Sequence, residues 1–158
     1  MKIILRPHHL TKLDEKVFQA LTEKLISTLY KAWATDADAP DHTDCVTAVR
    51  YIFRYSSDFV LPHAYIWDMP TILIDDGLCM IHSLQEVQRG DLVFFEKMSH
   101  THRKYMVAHV GIMLDRETFF HSSLTYDGAI SRIDDKEYIN SILEESFLSI
   151  ARDPRNHD

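Results

Sequence analysis

The sequence predicts an α+β fold in which helices from the first part of the chain pack on an antiparallel sheet formed by the second part. Two observations support this prediction. Apolar residues recur at helical spacing before residue 54, and short alternating segments bounded by turn signals follow residue 89. With 158 residues and no internal repeat or linker, the chain is predicted to be a single domain over 1–158.

The composition restricts the classes of partner. A hydrophobic fraction of 46% and a charged fraction of 26% are typical of a globular domain. The net charge of −7 argues against a nucleic acid or an anionic membrane surface as partner. No apolar stretch approaches a membrane span, and the apolar run at the start is too short for a secretory signal. We therefore expect either that a signal was removed or that export, if any, uses another route, and the compartment stays open.

The first predicted helix covers residues 13–33 and is interpreted as a core helix. Thr11 followed by Asp14 is typical of a capping box at its start. Its apolar stripe repeats at every fourth position and consists of Leu13, Val17, Leu21, Leu25, Leu29 and Trp33. A polar loop over 34–42 is predicted to follow it.

A second helix is predicted to begin at Cys45, because Thr43 and Asp44 are both candidate N-caps. One buried face would contain Cys45, Val49, Ile52 and Phe53. A thiol in the first turn lies near unsatisfied N–H groups and the positive end of the helix dipole, which favour the thiolate. The alternative is a small buried hydrophobe. Cys79 is interpreted as a packed thiol, and both cysteines are expected to be reduced.

Strands are predicted over 91–95, 107–114 and 118–123, with 115–117 as a hairpin loop. The segments 129–133 and 147–151 are expected to add edge strands.

Residues 54–89 give a mixed signal of short helices and turns, and a short helix is predicted over 136–145. The segment 96–106, with His100 and His102, is predicted to be a loop at the rim of the site. Two histidines without other ligands are a weak zinc signal, so no metal is predicted.

Alternation along the hairpin brings two histidines together. It places His109 and Gly111 on one face of their strand. The other face is predicted to be the core face and contains Ala108, Val110, Ile112 and Leu114. If Leu114 lies opposite Thr118, Gly111 faces His121, and the two histidines become diagonal neighbours. A slip of one residue would send His121 to the other face.

Cys45, His109 and His121 are therefore candidates for a catalytic Cys-His-His triad. A thiol nucleophile needs a base to take its proton, and the base needs a third group to fix its tautomer. The alternative for each histidine alone is a hydrogen-bonded structural role. The acidic pairs Asp36/Asp38 and Asp134/Asp135 are expected to be solvated surface.

Several blocks resemble the NlpC/P60 family of cysteine peptidases and occur in the family's order. They are DC at 44–45, QRGDLVFF at 88–95, AHVGI at 108–112 and FHSS at 120–123, and the last strands of the family are matched at 128–133 and 147–152. The resemblance covers residues 44–152. It implies a papain-like fold without a cofactor, in which Cys45 is the nucleophile, His109 the base and His121 its orienting group. It also implies hydrolysis of amide bonds in bacterial cell-wall peptides, typically between D-Glu and the diamino acid.

The sequence also departs from the family pattern. Val46 and Thr47 stand where the family usually has Ser and Gly, and an upstream Tyr with a Gly-rich run is missing. Tyr30 and Trp33 are candidates for the aromatic substrate-binding group, and Asp44 is the acid assigned to the site. The backbone N–H of Cys45 is the expected first oxyanion donor, and the second is not identified.

Three functional hypotheses remain. The first is a thiol hydrolase that acts on peptidoglycan peptides through an acyl-enzyme. The second is an amidase or acyltransferase with a non-wall substrate, such as a delivered effector or toxin with an inhibitory partner protein. The third is a catalytically silent binding domain on the same fold, which the intact Cys45, His109 and His121 argue against.

Overall fold

The structure is a computed structural model that describes residues 13–57, 59–99, 101–122, 131–137 and 148–152. Its helices are α1 (Glu15–Leu25), α2 (Cys45–Ser56) and α3 (Met69–Asp75), with a 3₁₀ turn at Leu84–Glu86. Its strands are β1 (Leu29–Tyr30), β2 (His42–Thr43), β3 (Cys79–Met80), β4 (Asp91–Ser99), β5 (Lys104–Met113), β6 (Thr118–Ser122), β7 (Ser131–Asp135) and β8 (Leu148–Arg152). The predicted features that lie outside the described residues are Thr11, His100, Ser123, residues 128–130 and 147, and most of the 136–145 helix.

The sheet confirms the predicted α+β architecture. Among the described residues, six strands form one sheet in the order β3-β8-β4-β5-β6-β7, with every neighbouring pair antiparallel. β1 and β2 form a separate parallel pair. β7 lies at an edge as predicted, but the prediction that β8 is an edge strand is wrong. β8 pairs with the edge of β4 opposite to β5, and it satisfies the backbone N–H and C=O groups along that edge.

The first helix ends earlier than the predicted range of 13–33. Asp14 caps its start, since its Oδ1 accepts two backbone N–H groups of the first turn, each at 3.1 Å. After Leu25 the chain leaves the helix at Ser27, whose φ is 66°. The Ser27 N–H donates to the carbonyl of Ser131 at 2.9 Å. Hydrogen bonds to another part of the fold therefore replace the helical ones, although the apolar spacing continues.

Two apolar clusters cover the two faces of the sheet. α1 packs on α2, and α2 packs on the first face, where the buried sheet residues are Leu92, Phe94, Val107, Val110, Ile112 and Phe120. The second face carries Val93, Phe95, Met113 and Phe119, packed with Ile81 and Val87. Because both faces are apolar, polar side chains within the central strands need partners.

β4 and β5 extend well beyond the predicted strands. Most of the 96–106 segment, predicted to be a loop, forms a hairpin between β4 and β5. Backbone pairing between the two strands continues to Ser99 and Lys104. The two strands continue because their pairing gives hydrogen-bond partners to backbone N–H and C=O groups. In a loop, these groups would be left to solvent.

A β-bulge interrupts the hairpin beside the predicted histidine. Phe95 lies opposite His109, whereas the next residue of β4 lies opposite Val107, so Ala108 is an extra residue in β5. Val107 is buried in the first cluster and Ala108 is exposed. The prediction that Ala108 faces the core is therefore wrong, because alternation breaks at the bulge.

Candidate active site

Cys45 is the first residue of α2, as predicted, and is 7% exposed. Asp44 is the N-cap, and its carboxylate accepts the backbone N–H of Thr47 at 2.7 Å. This bond satisfies one of the free N–H groups of the first turn. The helix start is therefore rigid at the position of the thiol.

Thr43, the other candidate cap, has a different role. Its side chain is buried, and its Oγ1 lies 3.2 Å from Ser122 Oγ and 3.3 Å from Ser131 Oγ. Ser122 Oγ also donates to the Thr43 carbonyl at 3.3 Å. These hydroxyl contacts attach the chain just before Cys45 to the ends of β6 and β7.

The thiol of Cys45 lies against β5. The backbone N–H of Val110 interacts with its sulfur, and Ala108 lines the same pocket as Cys45. These two residues flank His109 in the strand. The start of α2 therefore meets the sheet at the segment that carries the predicted base.

Burial raises the pKa of the Cys45 thiol to about 12, and the Asp44 carboxylate acts in the same direction. Nearby backbone N–H groups, including that of Val110, lower this pKa but are outweighed. The prediction that the helix start favours the thiolate is therefore wrong for the free protein, because loss of hydration dominates at a residue that is 7% exposed. The resting thiol is neutral and needs a base when it attacks.

The two predicted histidines form a direct hydrogen bond, between His109 Nε2 and His121 Nδ1 at 2.8 Å. The predicted register is confirmed, since Gly111 lies opposite His121. A Cβ on Gly111 would lie 3.0 Å from the Phe120 carbonyl oxygen and 3.3 Å from His121 Cβ. Glycine at this position therefore leaves the space that the ring pair occupies.

Asp134 continues this network and was not predicted to belong to the site. Its Oδ2 lies 2.6 Å from His121 Nε2, and its Oδ1 accepts from Arg132 Nη2 at 2.8 Å. The Asp134 side chain is 10% exposed, so the prediction that it is solvated surface is wrong, while Asp135 is exposed as predicted. Arg132 and Asp134 share one face of β7 by alternation. The sequence could not show that this face meets His121, because a single sequence does not give the register between β6 and β7.

The ionic state of this pair follows from its surroundings. Burial lowers the pKa of His121 and outweighs the opposing effect of Asp134. Burial acts to raise the pKa of Asp134, but His121 and Arg132 outweigh it and hold that pKa below its ordinary value. The pair therefore consists of a neutral imidazole and a carboxylate.

A pocket of about 720 Å³ opens beside Cys45, and Tyr30, Trp33 and Asp44 line it. Those three residues are the predicted substrate-binding set. The pocket is also lined by Ala32, Ala34, Thr35, Val46, Thr47, His63, Ala64, Tyr65, Ile66, Trp67, Asp68 and Ala108. Its volume is within the usual range for small-molecule and short-peptide sites.

An aromatic wall, consisting of Trp33, Tyr65 and Trp67, stands at this pocket. Tyr65 and Trp67 stack with ring centroids 4.7 Å apart, and Trp33 contacts them edge-on at 5.8 and 6.3 Å. All three are exposed, with Trp33 at 70%. No periodic pattern marks Tyr65 and Trp67 in the sequence, so only the structure identifies them.

Tyr30 is more buried than the residues of the wall and interacts electrostatically with the thiol. Burial raises its pKa to about 12, with further contributions from Cys45 and Asp44. Its hydroxyl is therefore protonated at neutral pH and within electrostatic reach of both residues. A neutral phenol in this position is a hydrogen-bond donor.

Other candidate groups lie apart from this arrangement. Cys45 and Cys79 are both free thiols, and Cys79 is partly buried in β3. His102 is exposed in the β4–β5 hairpin. In the described part of the chain, no cluster of three or more metal-ligating side chains occurs. None of the helices described is long and apolar enough to cross a membrane.

Comparison with protein-family models gives a match over most of the chain. A sequence model of the NlpC/P60 family matches residues 30–148. No curated protein gives a significant match.

Solved structures give similarities at the level of the fold. NlpC1 from Trichomonas vaginalis is 17% identical with a TM-score of 0.65, covering 93% of this chain and 46% of that protein. An NLP/P60-family protein similar to a lipoprotein, from Staphylococcus aureus, is 19% identical with a TM-score of 0.65, covering 96% and 44%. The NlpC/p60 domain of the peptidoglycan hydrolase SagA is 19% identical with a TM-score of 0.56, covering 80% and 92%. The chain thus spans less than half the length of the first two proteins.

Proposed function

This chain belongs to the NlpC/P60 family, and on that premise we propose that it is a cysteine hydrolase of amide bonds in peptidoglycan peptides. The observation that carries the proposal is the meeting of Cys45, at a helix start, with the strand segment of His109, whose ring is bonded to His121. The name of the SagA hydrolase, whose domain shares the fold, agrees with a cell-wall substrate.

The reaction would begin with a proton transfer from the neutral Cys45 thiol. His109 takes this proton through Nδ1, the ring nitrogen that does not face His121, while the sulfur attacks the amide carbonyl carbon. The resulting imidazolium gives the proton to the leaving amine as the C–N bond breaks, and a thioester remains. Water then attacks the thioester with His109 again as base, which releases the acid and regenerates the thiol.

The developing oxyanion needs donors near the sulfur. We propose the backbone N–H of Cys45 as the first, because it lies at the helix start. The Tyr30 hydroxyl is the candidate for the second donor, because it is protonated and within electrostatic reach of Cys45. The Tyr30 side chain therefore fills the role that the sequence left open.

The pocket beside Cys45 is proposed to hold the acyl part of the substrate. Its described lining contains the carboxylates of Asp44 and Asp68 and the aromatic wall, but neither lysine nor arginine. The carboxylates and ring faces of this lining favour a substrate with an amino group or an apolar surface over an anionic substrate. Thr47 does not offer its hydroxyl there, because Oγ1 donates to the carbonyl of Ala34 at 2.9 Å.

The test is digestion of purified peptidoglycan with the wild type and with Cys45→Ala, followed by mass identification of the released fragments. We expect fragments cut at an amide bond only with the wild type. If no fragment depends on Cys45, the cell-wall substrate is refuted. Turnover of a non-wall amide library in the same comparison would then favour the second hypothesis, and inertness on both would favour a silent binding domain.

A further inference from the structure

We propose that Asp134 is a positioning residue of the site: its carboxylate, acting through His121, fixes the proton positions of both rings so that His109 presents an unprotonated nitrogen to Cys45. This inference rests on the proposed function in taking His109 as the base. It assigns a role to a residue outside the Cys-His-His pattern.

The proton positions follow from hydrogen-bond roles. A carboxylate can only accept, so His121 Nε2 carries the hydrogen that faces Asp134 Oδ2 at 2.6 Å. In a neutral ring the other nitrogen, Nδ1, is then an acceptor. His109 Nε2, at 2.8 Å from it, must therefore be the donor. His109 is left with a lone pair on Nδ1, which is the tautomer that a base needs; these tautomers are assigned from the network.

Asp134 also supplies the negative charge that two histidines lack. When His109 accepts the thiol proton, its positive charge lies one ring away from the carboxylate. The His121 side chain is 2% exposed and that of Asp134 is 10% exposed, so water screens this interaction weakly. Arg132 holds the second oxygen of Asp134 at 2.8 Å and so fixes the direction in which the carboxylate points.

Among the described residues, charged and titratable groups around the network come from five elements. β7 contributes Asp134 and Arg132, β6 contributes His121 and β5 contributes His109. At the other end, α2 contributes Cys45, with its cap Asp44, and β1 contributes Tyr30. Any pH dependence of activity at the site therefore reports the coupled titration of these groups together and cannot be assigned to one residue.

The test compares Asp134→Asn with Asp135→Asn as a matched control. Asp135 is the next residue of β7, is exposed, and loses the same charge without touching the network. Long-range ¹H–¹⁵N NMR of the histidine rings reads the tautomers directly and needs no substrate. In the wild type we expect both His109 and His121 to carry hydrogen on Nε2.

In Asp134→Asn, Arg132 still requires an acceptor and keeps the amide oxygen on its side, so the N–H₂ donates to His121 Nε2. This moves the ring hydrogen of His121 to Nδ1 and forces the opposite tautomer on His109. We expect this change in the spectrum, and a fall of about 10²-fold in kcat/KM on the substrate found by the digestion test. Asp135→Asn should change neither. The pH profile of kcat/KM should shift in Asp134→Asn alone.

A wild-type spectrum with hydrogen on His121 Nδ1 would overturn the proposal, even if Asp134→Asn failed to fold. So would an Asp134→Asn protein with wild-type tautomers, or one with wild-type activity. If peptidoglycan is not cleaved but the tautomers are as expected, the proposed substrate fails while the positioning role stands, because the spectrum is recorded without substrate.

Discussion

Thr47 Oγ1 donates to the backbone carbonyl of Ala34 at 2.9 Å and thereby joins the first turn of α2 to the loop that carries Trp33. Thr47 is buried, and the N–H of the same residue bonds to the cap Asp44. The position of the aromatic wall is therefore linked to the helix start that holds Cys45. Trp33 itself has a φ of 58°, a conformation that bulky residues rarely adopt without support from their surroundings.

Thr47→Val should weaken both stability and substrate binding. The substitution keeps the shape but leaves the Ala34 carbonyl without its donor, which costs about 1–3 kcal/mol for a buried group. We expect a lower urea midpoint and a higher KM with a smaller change in kcat. Thr47→Ser, which keeps the hydroxyl, is the control and should resemble the wild type; a wild-type KM in Thr47→Val would refute the link to the wall.

Gly111→Ala should disturb the histidine pair. The added Cβ would lie 3.0 Å from both the Phe120 carbonyl oxygen and Phe119 Cδ2, and both belong to β6, the strand paired with β5. Overpacking of this kind costs about 1–3 kcal/mol. We expect a lower melting temperature and altered ring signals from His109 and His121. Unchanged stability together with unchanged ring signals would contradict this account of the glycine.

Alkylation of Cys45 by iodoacetamide should show no plateau near neutral pH. Burial raises the pKa of this thiol to about 12, so its reactivity should climb through the alkaline range. Asp44→Asn keeps a good N-cap but removes the carboxylate that also raises this pKa, so it should react faster than the wild type at each pH. The measurement is mass spectrometry in a Cys79→Ser background, and a plateau below about pH 8 would show a stabilised thiolate instead.

The sequence predicted those parts of the site that depend on local rules. The helix start at Cys45 follows from capping and spacing, and the contact between His109 and His121 follows from alternation and a three-residue loop. These predictions hold because each involves neighbours in the chain. The bulge at Ala108 breaks such a rule, and nothing in the local pattern marks it.

The missed parts depend on contacts between distant segments. Asp134 joins His121 across a strand pair whose register a single sequence cannot give. Trp33 meets Tyr65 and Trp67 from a loop more than thirty positions earlier in the chain. The first helix was predicted too long because an apolar spacing persists into β1, where tertiary hydrogen bonds decide the backbone.

Acid should destabilise the fold through the buried network. The pKa of His121 is lowered from 6.5 in the folded protein, so the unfolded chain binds more protons just below that value. Stability therefore falls as the pH drops through about 6.5, since ΔG of unfolding rises with pH wherever the unfolded state binds more protons. Asp134, whose pKa is lowered from 3.8, adds a further loss in the more acidic range as its carboxylate takes a proton.

His121→Gln should remove the loss of folding stability that accompanies protonation of the His121 ring. Urea unfolding at pH 7 and pH 5 should give a smaller difference in ΔG for this variant than for the wild type, because the titrating ring is absent. His102→Gln, at an exposed position in the β4–β5 hairpin, is the control and should keep the wild-type difference. If His121→Gln loses as much stability between pH 7 and pH 5 as the wild type does, the lowered pKa assigned to the His121 ring is wrong, because its protonation would then carry no folding cost.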